Sequence, residues 1–223
     1  KETLELVDTL VSNATKSLLK KEWVQQDVKY YRAVRALMER FDCNAFTTSC
    51  KELCASRYPM RNKCVPCLTH SLLKDDRVPS SCEEDINVLL AIMVLMYLTE
   101  QSPFMGNPML VPAGTRTIAQ LGMSTPSSDP DRIVDEDLLE IHHPVPGLQM
   151  EGFDEPALPY FLGHFTQEGW GTKVQIDMAA RDTKIVTMGR FNRRGDRMIV
   201  ARAEILGCEF RETYCSPAVF YRV

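Results

Sequence analysis

At 223 residues, 44% apolar and 25% charged, the chain has the composition of a globular protein able to bury one large core or two modest ones. A formal net charge of -4 and a pI near 5.7 argue against a binder of nucleic-acid phosphate. No apolar run is as long as the roughly 18 residues of a membrane-spanning helix, so no membrane partner is expected.

The chain begins at Lys1, inside a helical pattern and without a secretory signal, which points to a portion of a longer polypeptide. Residues 1–20 repeat Leu4, Leu6, Val7, Leu10, Val11, Ala14, Leu18 and Leu19 at helical spacing. A second helix is expected from about Glu22 to Phe41, with Val24, Val28, Tyr31, Val34, Leu37 and Met38 on one stripe and Lys and Arg on a solvated face. The β-branched and aromatic residues of 45–49 predict a short buried strand. Residues 50–62 read as an irregular loop or short helix, and Pro66 opens a helix through Leu73.

Cys50, Cys54, Cys64 and Cys67 are spaced C-x3-C-x9-C-x2-C, a pattern that a structural zinc knuckle uses. The competing reading is reduced, buried thiols of a cytoplasmic protein, which suits a chain with this much apolar core.

The stretch from Val78 to Asn87 carries the strongest chemical signal. Glu83, Glu84 and Asp85 directly precede a nearly unbroken apolar run, Ile86 to Leu98. Ser81 with Glu84, or Ser80 with Glu83, has capping-box spacing, which would put the carboxylates in the first helical turn, where the macrodipole favours negative charge. Clustered carboxylates at the edge of a core also suit a hard divalent ion such as Mg2+ or Mn2+. Because α/β layers present functional groups just past the carboxyl ends of strands, Glu52 joins Glu83 and Asp85 as a candidate.

From about Pro112 turn residues multiply and helical periodicity ends. Strands are expected at 116–121, 138–142, 160–165, 172–178, 183–190, 197–206 and 217–222, with Asn192–Gly195 as a hairpin turn. The division predicted is therefore 1–112, an α/β layer domain with part of its sheet missing, and 113–223, a mainly β, barrel-like domain. His142 and His143 end a predicted strand. As neighbours on a strand they face opposite ways, so only one can join a given site. Trp170 sits in a Gly-rich loop, where aromatic anchors serve sugar sites and ordinary turns alike. Phosphate-binding glycine loops and G-x-S-x-G are absent.

Ala45-Phe-Thr-Thr-Ser-Cys-Lys-Glu-Leu53, Pro66-Cys-Leu68 and Cys82-Glu-Glu-Asp-Ile-Asn87 together resemble the second domain of the L-fucose/L-arabinose isomerase family. Leu139-Glu-Ile-His-His-Pro-Val-Pro146, Met150-Glu-Gly-Phe-Asp154, Leu158-Pro-Tyr160, Gly169-Trp-Gly-Thr-Lys173 and Cys215-Ser-Pro-Ala-Val219 resemble its carboxy-terminal domain, in family order. The resemblance implies Rossmann-like α/β layers followed by a small β-barrel, assembled as trimers or hexamers, and a Mn2+-dependent interconversion of a monosaccharide aldose with its ketose. It implies metal ligands at Glu52, Glu83 and Asp85, proton transfer by Glu52 and Asp85, and sugar contacts from His142, His143 and Trp170. In that chemistry the metal polarises O1 and O2 and acidifies the proton on C2, which a carboxylate removes to form an enediol. The family's late metal-binding histidine has no counterpart here, since no histidine follows His164, and Phe104-Met-Gly-Asn-Pro108 lacks the histidine of the arabinose branch. A non-catalytic sugar-binding or regulatory relative is the alternative.

Overall fold

The computed structural model describes residues 1–212 and 215–223, with every side chain among them except that of Cys54. Helix α1 (Glu2–Asn13) is shorter than the 1–20 pattern predicted. Thr15 and Leu18 give their backbone N–H groups to Tyr160 and Leu162, each at 2.8 Å, so the chain leaves the helix and β1 (Lys16–Ser17) joins a later strand in parallel. Helix α2 (Lys21–Arg40) buries Val24, Val28, Val34 and Met38 along the expected stripe, whereas Leu37 turns outward.

Strand β2 (Phe46–Thr48) is followed by two short helices, α3 (Cys50–Ala55) and α4 (Tyr58–Asn62), then by α5 (Cys67–Asp75), β3 (Ser80–Cys82) and α6 (Ile86–Thr99). Here the expected capping box does not form. Ser80, Ser81 and Cys82 are a buried strand paired in parallel with β2, in register Phe46↔Ser80, Thr47↔Ser81 and Thr48↔Cys82. Their backbone groups are engaged in the sheet, so the chain reverses only afterwards, through Glu83 and Glu84 at φ 63° and 55°. Two successive non-glycine residues in the left-handed region cost about 1–2 kcal/mol each. The helix then starts at Ile86, with Asp85 as its cap. Despite its apolar composition α6 is too short to span a bilayer, and no described helix is long and apolar enough to do so.

The second half is mainly β: β4 (Asn107–Val111), β5 (Leu138–His142), β6 (Tyr160–His164), β7 (Thr172–Ile176), β8 (Ile185–Phe191), β9 (Met198–Glu209) and β10 (Ala218–Arg222). Antiparallel strands in the order β4-β5-β10-β9-β8 form one sheet, which curls into a half-barrel, and β1-β6-β7 form another. The architecture is mixed α/β. The β8–β9 hairpin turns where predicted: Gly195 donates to the Asn192 carbonyl at 2.9 Å and sits at φ 72°. Residues 116–121 are not a strand. Thr117 and Gln120 exchange side-chain and backbone bonds in a capping box that starts a 3-10 turn, Ala119–Leu121. That turn presses against β9, where a Cβ at Gly207 would stand 2.1 Å from the Leu121 carbonyl oxygen.

The principal core crosses the predicted boundary at 112. Val7, Leu10, Val24, Val28, Leu68 and Leu72 pack with Tyr160, Leu162, Val174 and Ile176, so the two halves differ in texture and share one interior. Asp27 ties them. Fully buried on α2, it accepts the backbone N–H of Val65 at 2.7 Å and of Thr172 at 2.6 Å.

Burial raises the Asp27 pKa from 3.8 to about 7, against the pull of those bonds. An acid raised in this way contributes stability that is complete below 3.8 and is lost as the pH climbs through 7. Asp27→Asn lacks this titration and leaves one buried N–H without an acceptor, a cost of about 1–3 kcal/mol. Urea unfolding should show the variant destabilised by that amount at about pH 5, with the difference narrowing at about pH 8.

Candidate functional site

The parallel pair β2–β3 delivers its carboxyl ends to one edge, and Glu83 is the first residue past β3. From the other half of the chain, β4 brings Asn107, whose side-chain amide donates to Glu83 Oε1 at 3.3 Å. His143, one residue past the end of β5, places Nε2 3.7 Å from the same oxygen, an ion-pair separation longer than a hydrogen bond. His143, Asn107 and Lys51 hold the Glu83 carboxyl below the usual carboxylate range. Burial keeps His143 below its ordinary value, which favours the neutral imidazole beside an anionic Glu83. Both ring nitrogens of His143 are buried without a hydrogen bond among the described residues.

His142 faces elsewhere, as alternation along β5 requires. Its Nδ1 lies 2.9 Å from Oε1 of Glu140, two residues back on the same face, and Arg211 Nη2 donates to that oxygen at 2.7 Å. Glu140 is wholly buried while His142 is part-exposed, so the carboxylate backs an imidazole that solvent reaches. The His142–Glu140 contact is close but poorly directed for a hydrogen bond, since His142 Nδ1 makes none among the described residues.

Behind His143 lies a group that periodicity did not announce. His70 and Lys74, one turn apart on α5, are both fully buried. His70 Nδ1 is 2.7 Å from Ser80 Oγ, and Lys74 Nζ donates to the Val145 carbonyl. Burial pushes His70 well below its ordinary value, and Lys74 down to about 7. The signal in the sequence was a histidine and a lysine four residues apart, around Leu72 and Leu73.

Of the residues singled out from the sequence, Glu83 and His143 meet on one edge, while His142 lies on the opposite face of β5. Asp85 is occupied otherwise: Oδ1 caps α6 by accepting the Val88 N–H at 2.9 Å, and Oδ2 pairs with Arg190 at 2.8 Å. Glu52 is exposed in the first turn of α3. Trp170 is a core residue, packed with Val65, Cys67, Cys82, Met105 and Val145, its Nε1 donating to Glu168 at 2.9 Å. Among the described residues no three His, Cys, Asp or Glu side chains gather in a metal-holding arrangement, and no disulfide joins the described cysteines. For the zinc-knuckle spacing, the Cys54 side chain lies outside the described residues, and Cys50 meets Cys82 on the neighbouring strand end. Among the described residues, Glu83 and His143 offer two donors that fit a divalent ion, an anionic carboxylate facing a buried nitrogen that makes no hydrogen bond.

No family model matches the chain, and no curated protein matches it.

Two stability measurements separate structural from ligand roles. Asp85→Ala removes the cap and should cost about 0.5–2 kcal/mol, whereas Asp85→Asn retains a capping oxygen and should cost a few tenths, read by thermal unfolding. For Lys74, a base depressed from 10.5 to about 7, stability is complete above 10.5 and is lost as the pH falls towards 7. Lys74→Met should abolish that decline in urea titrations between about pH 10 and pH 7.

Proposed function

We propose that the chain is the middle and late part of a fucose/arabinose isomerase-like enzyme, with Rossmann-like layers leading into a barrel, that interconverts an aldose and its ketose. The supporting observation is the meeting of Glu83 with His143: two motifs some sixty residues apart in the sequence converge where a parallel strand pair ends. A cytoplasmic homo-oligomer, trimeric or hexameric, completes the proposal.

In this reading Glu83 and His143 hold the divalent ion, Mn2+ by preference. When bound, the ion supplies Lewis acidity toward the sugar's O1 and O2. Glu83 remains anionic through the neutral range, which suits an electrostatic anchor better than a base, since an efficient base titrates near the working pH. The proton leaves C2, its electrons form the C1–C2 double bond, and O1 becomes a hydroxyl. Return of a proton to C1, with loss of the proton on O2, yields the ketose.

The test is ketose formation by the full-length protein from aldopentoses and 6-deoxyhexoses with Mn2+. Glu83→Gln should lower the rate at least ~100-fold, and His143→Gln by a similar factor. No ketose from any of these sugars, or no loss on Glu83→Gln combined with Asp85→Asn, would sink the proposal. The commitment of Asp85 to the helix cap and Arg190 favours one other reading, a sugar-binding relative without catalysis. It predicts sugar binding by calorimetry in the presence of chelator.

A further inference from the structure

Between α6 and the five-stranded sheet lies a cavity of about 600 Å3 for which the isomerase reading has no use. Its walls are mainly apolar, with Ala91, Ile92 and Leu95 from α6 and Leu139 and Ile141 of β5 and Ile205 of β9. Its volume falls within the range of small-molecule sites. It does not come from a helix standing off the sheet. At β8 the two are in tight contact, and a Cβ on Gly189 would lie 3.2 Å from Leu95 Cδ1.

Polar side chains also reach the lining, among them Gln101, Glu151, Arg181, Arg190 and Tyr221. The side chain of Arg181 is only 9% exposed, and its Nε donates to Glu151 Oε1 at 2.7 Å, which fixes the plane of the guanidinium. Among the described residues its two terminal nitrogens make no hydrogen bond. Tyr221, 6% exposed and on the same wall, also leaves its hydroxyl without a hydrogen bond among the described residues. Both side chains line the same cavity. Both groups keep hydrogen-bonding capacity for a ligand in the cavity.

We infer that this cavity binds an aliphatic monocarboxylate, its carboxylate on Arg181 and Tyr221 and its hydrocarbon chain along α6. A planar guanidinium edge matches a carboxylate through two parallel bonds, and the remaining lining rewards methylene groups. A neutral hydrocarbon would leave the terminal nitrogens of Arg181 without an acceptor.

Calorimetric titration of the purified chain with decanoate, and with decanol as the neutral analogue of equal length, tests the assignment. Decanoate should bind saturably and at least ~10-fold more tightly than decanol. Arg181→Gln should weaken decanoate by a similar factor and leave decanol unchanged. Tyr221→Phe, which keeps the ring and its packing, should weaken decanoate several-fold, so the test survives if Arg181→Gln fails to fold. Circular dichroism checks that each variant is folded. Equal affinity for the two probes, no saturable decanoate binding by the folded wild-type chain, or folded variants that bind decanoate like the wild type would overturn it. So would sedimentation showing a dimer that decanoate neither loosens nor enters, because a second copy would then occupy the cavity. Sugar turnover enters none of these readouts.

Discussion

The parallel pairing of Ser80–Cys82 with Phe46–Thr48 is the constraint from which the candidate site follows. Engaging those three residues in a buried ladder denies them to the helix that comes next. The reversal must then be made by Glu83 and Glu84 in left-handed conformations. This strained turn throws the Glu83 carboxylate out past the strand end, towards Asn107 and His143, and leaves Asp85 to cap α6. Three neighbouring acids thus acquire different environments, and only one of them reaches the histidine.

The same economy holds the two halves of the chain together. Asp27 reaches from α2 to one backbone donor before α5 and another on β7, with burial opposing its ionisation. Around it, helices from the first half and strands from the second fill a single interior. The site built from β3, β4 and β5 likewise draws on both halves of the chain. His70 and Lys74 lie in the same interior, where the cost of a buried charge keeps both nitrogens biased to neutrality. The sugar-isomerase reading rests on the edge above them, and the fatty-acid-like reading on the separate cavity beneath α6.

Much of this was legible from spacing. The stripe of α2, the apolar run of α6, the β8–β9 hairpin and most strands of the second half appear where period and turn residues put them. The failures have physical causes. The box at Ser80–Glu84 lost to strand pairing with β2, and the strand at 116–121 lost to a Thr117–Gln120 box ending at Gly122. Cys50 keeps company with Cys82 because neighbouring strand ends converge, a relation that C-x-x-C counting does not contain.

Composition and period, by themselves, determined the kinds of elements, the mixed α/β class and the short list of acids and histidines, because local backbone preference and side-chain alternation act over a few residues. Only the tertiary structure decided which of those residues meet. It brought Glu83 to His143, set Glu140 behind His142, moved Trp170 into the core and spent Asp85 on a helix cap. It also opened the cavity at Arg181 and Tyr221, which no local pattern marks. The reason is the same throughout: strand register and burial act between residues far apart in the chain, and they settle which side chains share a space and which are left without a partner.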